Sequence, residues 1–301
     1  MPKIIATFCN QTTVSENNTN TAPCYLAEID LSSGIYTKIH LDLARWNNIK
    51  ILGVTGIASF EDGYILATQS SPPMLIKLNR FYSVTDVWLL NLVKDPHSVA
   101  LKNEVIYVAS TGTDSIIAFN LVTQKESVYA VVTDSGKDSV HINSLLFVKN
   151  ELHATAFGKK EGALWQSAQQ GYLINIQSGE FLLNQLSHPH SCIITNFGLV
   201  LCESARSRVL FLKGGYLKVF NSYIRGLAYD GHRLFVGLSH GRKISRSTDK
   251  VVGNMADPGQ DIGVCGVAVY SLNSEKVSES RLERFFDLDE LGKEIYDLML
   301  V

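Results

Sequence analysis

Histidine and other polar side chains recur at one position of a repeated sequence pattern. The clearest examples are H-I-N-S, which contains His141 and Asn143, and H-P-H-S, which contains His188 and His190. Imidazole titrates near neutral pH, so histidine serves as a general acid or base, and its neutral nitrogens are common ligands of divalent metals. The pattern therefore indicates either acid–base chemistry or a metal centre.

One residue in each copy of the pattern opens an apolar, strand-like segment. These opening residues are Thr55, His97, Asn143, His190 and Arg225, at intervals of 42, 46, 47 and 35 residues. Four-stranded blades of β-propellers recur at about 40–50 residues. Because the first strand of every blade lines the central channel of a propeller, we expect the five side chains to gather at one end of that channel.

Each copy contains four strand-like segments, of which HSVALKN, EVIYVAS, SIIAFNL and ESVYAVV form the clearest set. Five copies leave three strands at the N-terminus, KIIATFC, CYLAEIDL and GIYTKIHL, and one at the C-terminus, EIYDLMLV. We predict that these four complete a sixth blade, in which the C-terminal strand pairs with the N-terminal ones and removes a free sheet edge. Tyr296 or Asp297 would then be the sixth opening residue.

The predicted fold class is therefore all-β, a six-bladed β-propeller formed by residues 1–301. The rival fold is a β-sandwich with insertions, because sandwiches also show strands at ~8–12-residue spacing. A sandwich does not predict a polar residue at the same place in every copy, which favours the propeller.

Three histidines from neighbouring blades, His97, His141 and His190, are the predicted catalytic residues. Their imidazole nitrogens would bind zinc or iron and leave a coordination position for a water that serves hydrolysis or elimination. Without a metal, the same side chains would act as general acid and base. A third interpretation is that they only hydrogen-bond to backbone and water in a polar channel.

Further predicted ligand-binding residues surround these histidines. They are Thr55, Asn143, His188, Glu203, Arg206, Arg225 and His240. The guanidinium of Arg225 can bind a carboxylate or phosphate through two parallel hydrogen bonds. The alternative is that it forms an ion pair with an acidic side chain at the channel mouth. Lysine and arginine side chains in the loops between second and third strands favour an anionic ligand over a cationic one.

Two of those loops, residues 158–170 and 239–261, are long, and long loops in compact domains are often lids or binding loops. Trp165 in the first loop either stacks on a ligand or anchors the loop to its blade.

Small residues follow the opening residue in five copies: Gly56, Ser98, Ser144, Ser191 and Gly226. We interpret them as a response to crowding around the axis rather than as nucleophiles.

Composition excludes several classes of function. With 27 Lys+Arg against 29 Asp+Glu, the chain has no basic excess for nucleic acid or an anionic membrane. No apolar run approaches the ~18 residues of a membrane span, and the N-terminus does not have the pattern of a signal peptide. The five cysteines are widely scattered, so a reducing cytoplasm is the predicted location.

The segments RGLAYDGHRLFVGLS (225–239), IGVCGVAVYSL (262–272) and EIYDL (294–298) resemble the closing signature of a known bacterial family. Its members are six-bladed β-propellers catalogued as a conserved domain of unknown function, and H-S-V-A and H-x-N-S-L are similar to its earlier blades. The resemblance covers the chain from about residue 50 and departs from the pattern at Lys243, where an acidic residue is expected. It implies the fold, but no activity or substrate.

Two functional hypotheses follow. The first is a small-molecule-binding propeller, an enzyme of the lyase, hydrolase or epimerase type with a histidine-rich site at the channel mouth. The second is a non-catalytic scaffold for a protein partner, which predicts apolar side chains exposed on one rim. The sequence defines neither the substrate nor the oligomeric state.

Overall fold

The computed structural model describes residues 2–9, 23–61, 63–220, 222–240, 263–273 and 275–301. These residues form six four-stranded antiparallel sheets, which are the blades of a propeller. Blade 1 contains β1 (Lys3–Phe8), β2 (Leu26–Asp30) and β3 (Tyr36–Ile39); blade 2 contains β4 (Lys50–Phe60), β5 (Gly63–Ser71), β6 (Met74–Asn79) and β7 (Val84–Leu89). Blade 3 contains β8 (Pro96–Lys102), β9 (Val105–Ser110), β10 (Ser115–Asn120) and β11 (Lys125–Val131).

The second half of the chain continues in the same way. Blade 4 contains β12 (Ile142–Val148), β13 (Glu151–Ala156), β14 (Gly171–Asn175) and β15 (Phe181–Leu186). Blade 5 contains β16 (Pro189–Thr195), β17 (Gly198–Glu203), β18 (Arg208–Phe211) and β19 (Tyr216–Lys218). Blade 6 contains β20 (Tyr223–Tyr229), β21 (Arg233–Ser239), β22 (Gly266–Ser271) and β23 (Arg281–Asp287), and β24 (Ile295–Leu300) ends the chain.

Closure of the ring occurs in blade 1, as the sequence predicts. Strand β24 pairs antiparallel with β1, in a register that places Ile4 opposite Leu300 and Ala6 opposite Leu298. The sheet order is therefore β24-β1-β2-β3, with the C-terminal strand innermost. The innermost strands β24, β4, β8, β12, β16 and β20 follow one another around the central channel.

The apolar core lies between the blades. Among the residues that the structure describes, six hydrophobic clusters are present, and each joins two neighbouring blades. The cluster between blades 1 and 6, for example, contains Phe8, Phe235, Ile295 and Leu298. This arrangement explains why second strands such as β21 are buried along nearly their whole length, whereas the outermost strand β11 is mostly exposed.

Every innermost strand carries a β-bulge at the same position, where two of its residues stand opposite one residue of the second strand. The bulged pairs are Thr55–Gly56, His97–Ser98, Asn143–Ser144, His190–Ser191, Arg225–Gly226 and Tyr296–Asp297. Bulges bend a strand and re-aim its side chains. All predicted opening residues therefore share one structural position, and Tyr296 rather than Asp297 is the sixth.

Helical structure is limited to short 3-10 turns among the described residues, including Trp165–Ser167 in the predicted long loop. In the described part of the chain, no helix has the length and apolar character needed to cross a membrane.

Candidate functional site

A cavity of about 170 Å³ lies at the end of the central channel where the bulges are. Thr55, His97, Asn143, His190 and Tyr296, which come from five different blades, line its wall. The residues that follow them in the strands, such as Ser98, Ser144 and Asp297, also line it. The structure thus brings together opening residues that are up to 241 residues apart in the sequence.

The small residues in the bulges confirm the predicted crowding. A Cβ atom on Gly56 would lie 2.8 Å from the backbone nitrogen of Val99, and one on Gly226 would lie 2.9 Å from the Leu298 side chain. The Ser191 hydroxyl accepts a hydrogen bond from the backbone N–H of Gly226 at 2.8 Å and so connects blades 5 and 6. Packing and inter-blade hydrogen bonds account for these residues.

Imidazoles and aromatic rings form a closed ring around the mouth of the cavity. Consecutive centroid distances are 6.0 Å for Tyr296–His97, 4.8 Å for His97–His141, 4.4 Å for His141–Phe157, 5.0 Å for Phe157–His190 and 5.3 Å for His190–Tyr223. The Arg225 guanidinium completes the ring, 5.0 Å from the Tyr223 centroid and 4.2 Å from that of Tyr296. These contacts fix the orientation of every predicted catalytic histidine.

Hydrogen bonds at Nδ1 also hold the same three imidazoles in place. Nδ1 of His97 lies 3.1 Å from the backbone oxygen of Asp95, and Nδ1 of His141 lies 3.1 Å from an Asp138 carboxylate oxygen. Nδ1 of His190 lies 2.8 Å from the hydroxyl of Ser204. The sequence reasoning did not identify Asp138 or Ser204, because both partners lie in loops outside the repeated opening segment.

His188 has a different role from the other predicted site residues. Its Nε2 lies 2.9 Å from the backbone oxygen of Trp165, its Nδ1 lies 3.1 Å from the Tyr223 hydroxyl, and its ring stacks on Phe157 with centroids 4.3 Å apart. His188 thus anchors the 158–170 loop, and the Trp165 ring packs on His141 at 4.6 Å. Among the described residues, the contacts of Trp165 correspond to the anchoring interpretation.

Strand alternation does not bring the paired polar residues of H-I-N and H-P-H to the same site. His141 and His188 precede β12 and β16 and have left-handed backbones, with φ of 53° and 51°. Their rings reach the mouth of the cavity from the turns that enter the strands, and the alternation of a strand does not apply there.

Burial keeps His97, His188 and His190 neutral. Loss of solvent lowers the pKa of His97 to about 4, although Asp95 opposes the shift, and it likewise lowers the pKa of His188 to about 4. Burial and the Arg225 charge hold the pKa of His190 well below its usual value. In contrast, burial raises the pKa of the Asp297 carboxyl to about 7, against hydrogen bonds from the backbone of Leu298 and Ile57.

Three polar atoms of the cavity wall are buried and have no hydrogen-bond partner among the described residues: Thr55 Oγ1, Asn143 Nδ2 and His190 Nε2. An unpaired buried polar atom costs about 1–3 kcal/mol, and most such atoms in folded proteins do have partners. Three of them around one cavity therefore give its wall hydrogen-bonding groups that the described residues do not satisfy.

Other predicted ligand-binding residues lie outside the cavity wall. The Glu203 carboxylate is fully buried and accepts hydrogen bonds from Arg206 at 2.8 Å, from the Ser187 backbone at 2.9 Å and from Arg208. Arg225 Nη1 lies 3.6 Å from a Glu294 carboxylate oxygen, so this cation has an acidic neighbour at the cavity edge.

His240 lies at the start of the second long loop. Its Nε2 is 2.7 Å from an Asp289 carboxylate oxygen, and that residue also pairs with Lys293 at 3.2 Å. Residues 241–261 of this loop lie outside the described residues, and with them three of the cations, Arg242, Lys243 and Arg246, for which the sequence predicts a place at the rim.

Within the described ranges, no group of three His, Cys, Asp or Glu side chains has the arrangement of a metal site. The predicted set of His97, His141 and His190 is joined by ring contacts through Phe157 instead. Binding of zinc or iron stays a prediction, and elemental analysis of the purified protein would test it.

Asp114 organises the loop that carries Asp138 and His141. Its buried carboxylate accepts hydrogen bonds from the backbone N–H groups of Ser139 at 2.7 Å and Val140 at 3.2 Å, and also from nearby hydroxyls.

We expect Asp114→Asn to lower the free energy of unfolding by about 2–3 kcal/mol, because hydrogen bonds to a charged acceptor contribute about 1.5–3 kcal/mol each. Hydrogen exchange should become faster in residues 132–142. The exposed Asp134→Asn is the control, with an expected change within about 0.5 kcal/mol. Unchanged exchange in this loop would contradict the role assigned to Asp114.

The fold and the site together define a six-bladed β-propeller with a polar cavity at one end of its channel. Residues 47–301 match the family model described as Domain of unknown function (DUF4915), and the chain belongs to this family. No curated protein matches the sequence.

Solved structures share the fold. A propeller in the crystal structure of a nidogen/laminin complex has a TM-score of 0.62 at 11% identity, covering 100% of this chain and 98% of that one. Proteins provisionally assigned as 6-phosphogluconolactonases are similar at TM-scores of 0.53 (Bacteroides fragilis, 10% identity, 100% and 98% coverage) and 0.52 (Bacteroides uniformis, 11%, 100% and 99%).

Proposed function

We propose that the channel mouth binds a small polar molecule and that the neutral imidazoles of His97 and His190 act on it as bases. The observation that carries the proposal is the convergence of Thr55 Oγ1, Asn143 Nδ2 and His190 Nε2, all buried and unpaired within the described residues, on one cavity. A ligand that satisfies them recovers the desolvation cost that the folded protein otherwise bears.

The size of the cavity limits the ligand. At about 170 Å³ the cavity has the volume of roughly five or six water molecules, at ~30 Å³ each. Pockets for drug-sized ligands are larger, at ~300–1,000 Å³. The site therefore suits a metabolite of a few heavy atoms, or one end of a longer molecule.

The chemistry of the site favours proton abstraction. A neutral imidazole that is held in place from Nδ1 is ready to accept a proton, but a pKa near 4 makes His97 a weak base. A negative charge on a bound ligand within ~4–6 Å would raise that pKa toward neutrality. An anionic ligand would thus strengthen the bases it meets, and hydrolysis, elimination and epimerisation all begin with such a proton transfer.

The Bacteroides propellers, provisionally assigned as 6-phosphogluconolactonases, suggest one substrate class to include in a screen. Opening a lactone requires water activated by a base. Because the sequence identity is only 10–11%, this similarity supports the fold alone, and lactones enter the screen as one class among several.

Thermal shift against carboxylates, phosphates, polyols, amines and lactones tests binding. A ligand at 100 times its dissociation constant stabilises a protein by about 2.7 kcal/mol, which corresponds to a melting shift of about 5 °C or more here. We expect at least one class to shift the wild type and to lose most of that effect with His190→Phe and with Asn143→Leu. The exposed His232→Phe is the matched control and should respond like wild type.

A screen in which no class shifts the wild type would remove the binding proposal. Proton NMR in D₂O then tests the chemistry, because hydrolysis, elimination and epimerisation each change the ligand spectrum. We expect His97→Gln or His190→Gln to slow turnover by about 10²-fold or more. Binding without any turnover would leave a ligand site and exclude the role of the histidines as bases.

The scaffold hypothesis has one specific observation in its favour. Exposed apolar side chains lie at the turn between third and fourth strands in five of the blades, or directly beside that turn: Ile35 (69% exposed), Phe81 (71%), Val122 (66%), Phe181 (55%) and Leu212 (37%). In an antiparallel blade these turns lie on the face opposite the cavity. A protein partner on that face would protect the five turns from hydrogen exchange, and a partner that leaves them unprotected would contradict this alternative.

A further inference from the structure

The hydrogen bonds of His190 assign its tautomer. Nδ1 lies 3.1 Å from the backbone oxygen of His188, which can only accept, so Nδ1 carries the hydrogen. The Ser204 hydroxyl, 2.8 Å from the same nitrogen, donates its own hydrogen to the Ile224 backbone oxygen at 2.6 Å and therefore accepts from Nδ1. Because the ring is neutral, its Nε2 bears a lone pair and no hydrogen.

The same reasoning applies to His97. Its Nδ1 lies 3.1 Å from the Asp95 backbone oxygen and 3.8 Å from the Asp95 carboxylate, so Nδ1 carries the hydrogen here too. Among the described residues no donor contacts Nε2 of His97. His188 is the opposite tautomer, since its Nε2 donates to the Trp165 backbone oxygen and its Nδ1 accepts from the Tyr223 hydroxyl.

The cavity wall therefore presents an unusual set of groups. Two imidazole nitrogens, one from His97 and one from His190, can accept hydrogen bonds, and the Asn143 amide nitrogen can donate one. The Thr55 hydroxyl can do either. A ligand that satisfies these four groups must donate hydrogen bonds at two places and accept one at a third. The Asp297 carboxyl, which also lines the cavity, already accepts hydrogen bonds from the backbone N–H groups of Ile57 and Leu298.

Hydroxyl groups meet this requirement, because each donates one hydrogen bond and accepts others. We propose that the ligand of this site is a polyhydroxylated small molecule, a polyol or a sugar acid, which the two imidazoles recognise through its hydroxyl hydrogens. This inference rests on the proposed function and specifies the substrate class of the same cavity.

Two other ligand classes fit less well. A plain carboxylate has only acceptors, so its lone pairs would face those of His97 and His190. An ammonium group donates to both nitrogens, but it cannot accept from Asn143, and the positive Arg225 at the cavity edge opposes it. A sugar acid avoids both difficulties. Its carboxylate can lie beside Arg225 while its hydroxyls contact the two imidazoles.

Matched ligands separate these classes. Saturation-transfer NMR would compare D-gluconate with hexanoate, which keeps the carboxylate and chain length but lacks hydroxyls. It would also compare sorbitol with 1,6-hexanediol, which lacks the four inner hydroxyls. Cadaverine represents the ammonium class. Ligand concentrations stay below those at which polyols stabilise proteins by exclusion from the surface. Gluconate binding without sorbitol binding identifies a sugar acid, and the reverse identifies a neutral polyol.

We expect gluconate or sorbitol to bind at least ~100-fold more tightly than its dehydroxylated match, because a site built for hydroxyls strongly rejects analogues that lack them. His190→Phe should weaken binding by at least about 10-fold, and His232→Phe should not. Nitrogen-15 NMR of the histidine side chains should show Nδ1–H tautomers for His97 and His190 and an Nε2–H tautomer for His188.

The possible failures are distinguishable. If hexanoate or cadaverine binds the wild type and loses affinity with His190→Phe, while neither hydroxylated ligand binds, the hydroxyl proposal is overturned and the small-molecule site stands. An Nε2–H signal from His97 or His190 overturns the proposal in the same way. If none of the five compounds binds and the broader thermal-shift screen is also negative, both proposals fail.

Discussion

Deletion of the C-terminal strand, residues 295–301, is expected to abolish the folded state rather than to remove one element from it. Strand β24 is the innermost strand of blade 1 and pairs with β1. It also completes the apolar cluster between blades 1 and 6, which Ile295 and Leu298 share with Phe235 and Phe8. Without it the ring is open, and both of these blades lose part of their core.

The expected loss is comparable with the whole stability of an ordinary domain. Ile295, Tyr296 and Leu298 are 0%, 6% and 5% exposed, and burial of each such side chain contributes about 1.5–3 kcal/mol. The ladder hydrogen bonds to β1 add roughly 1 kcal/mol each. The sum is comparable with the ~5–15 kcal/mol by which native proteins are stable.

Circular dichroism and urea unfolding of the truncated chain measure this effect. Point variants provide a graded version: Leu298→Ala should cost about 2–5 kcal/mol, whereas Leu282→Ala on the outermost strand β23, where the side chain is 41% exposed, should cost less than about 1 kcal/mol. A truncated chain that unfolds cooperatively at the midpoint of the full-length protein would show that closure is not required.

Acidification from pH 6.5 to pH 4 is expected to destabilise the protein steeply. His97, His188 and His190 are neutral in the folded state because burial lowers their pKa values, to about 4 for the first two and well below the usual value for the third. In the unfolded chain they titrate near 6.5. Between these limits the unfolded state binds up to three more protons than the folded state, so stability falls as pH falls.

Asp297 acts in the opposite direction over part of this range. Burial raises the pKa of its carboxyl from the ordinary value of 3.8 to about 7, so the folded protein holds one proton that the unfolded chain releases. The net difference near pH 5 is therefore about two protons. Each proton contributes about 1.4 kcal/mol per pH unit, which gives an expected slope of about 3 kcal/mol per pH unit.

Urea unfolding at a series of pH values between 4 and 8 measures this slope. Replacing one titrating group, in His188→Gln, should reduce the slope by about 1.4 kcal/mol per pH unit. The exposed His232→Gln should leave it unchanged. A flat stability profile between pH 4 and 6.5 would contradict the conclusion that His97, His188 and His190 are buried and neutral.

The sequence alone predicts the blades, the closure of the ring in blade 1 and the convergence of the opening residues on one end of the channel. Five of the blades are local units whose strands are hydrogen-bonded to their neighbours in the chain, so the period of the apolar segments predicts the architecture, and the strands left over at the two ends predict blade 1. The remaining choice between Tyr296 and Asp297 could not be made, because a bulge changes which residue faces the channel and the pairing register is not visible in one strand alone.

The partners of the histidines were also beyond sequence reasoning. Asp138, Phe157 and Tyr223 reach the site from loops and from the start of a neighbouring blade, and no periodicity relates them to His141 or His190. Likewise, left-handed turns place His141 and His188, and short peptide patterns do not specify that geometry. Contacts between blades depend on three-dimensional packing of segments far apart in the chain.

The bulge repeated in all six innermost strands has a consequence for how this protein can change. A bulge is made by the backbone, and the side chain it re-aims projects toward the channel away from the cores between the blades. None of these six side chains belongs to an apolar cluster between the blades, so a substitution leaves those clusters intact. The shape and polarity of the channel end can therefore change one position at a time, with loss of the contacts of the residue replaced, while the strand pairing beneath it stays as it is.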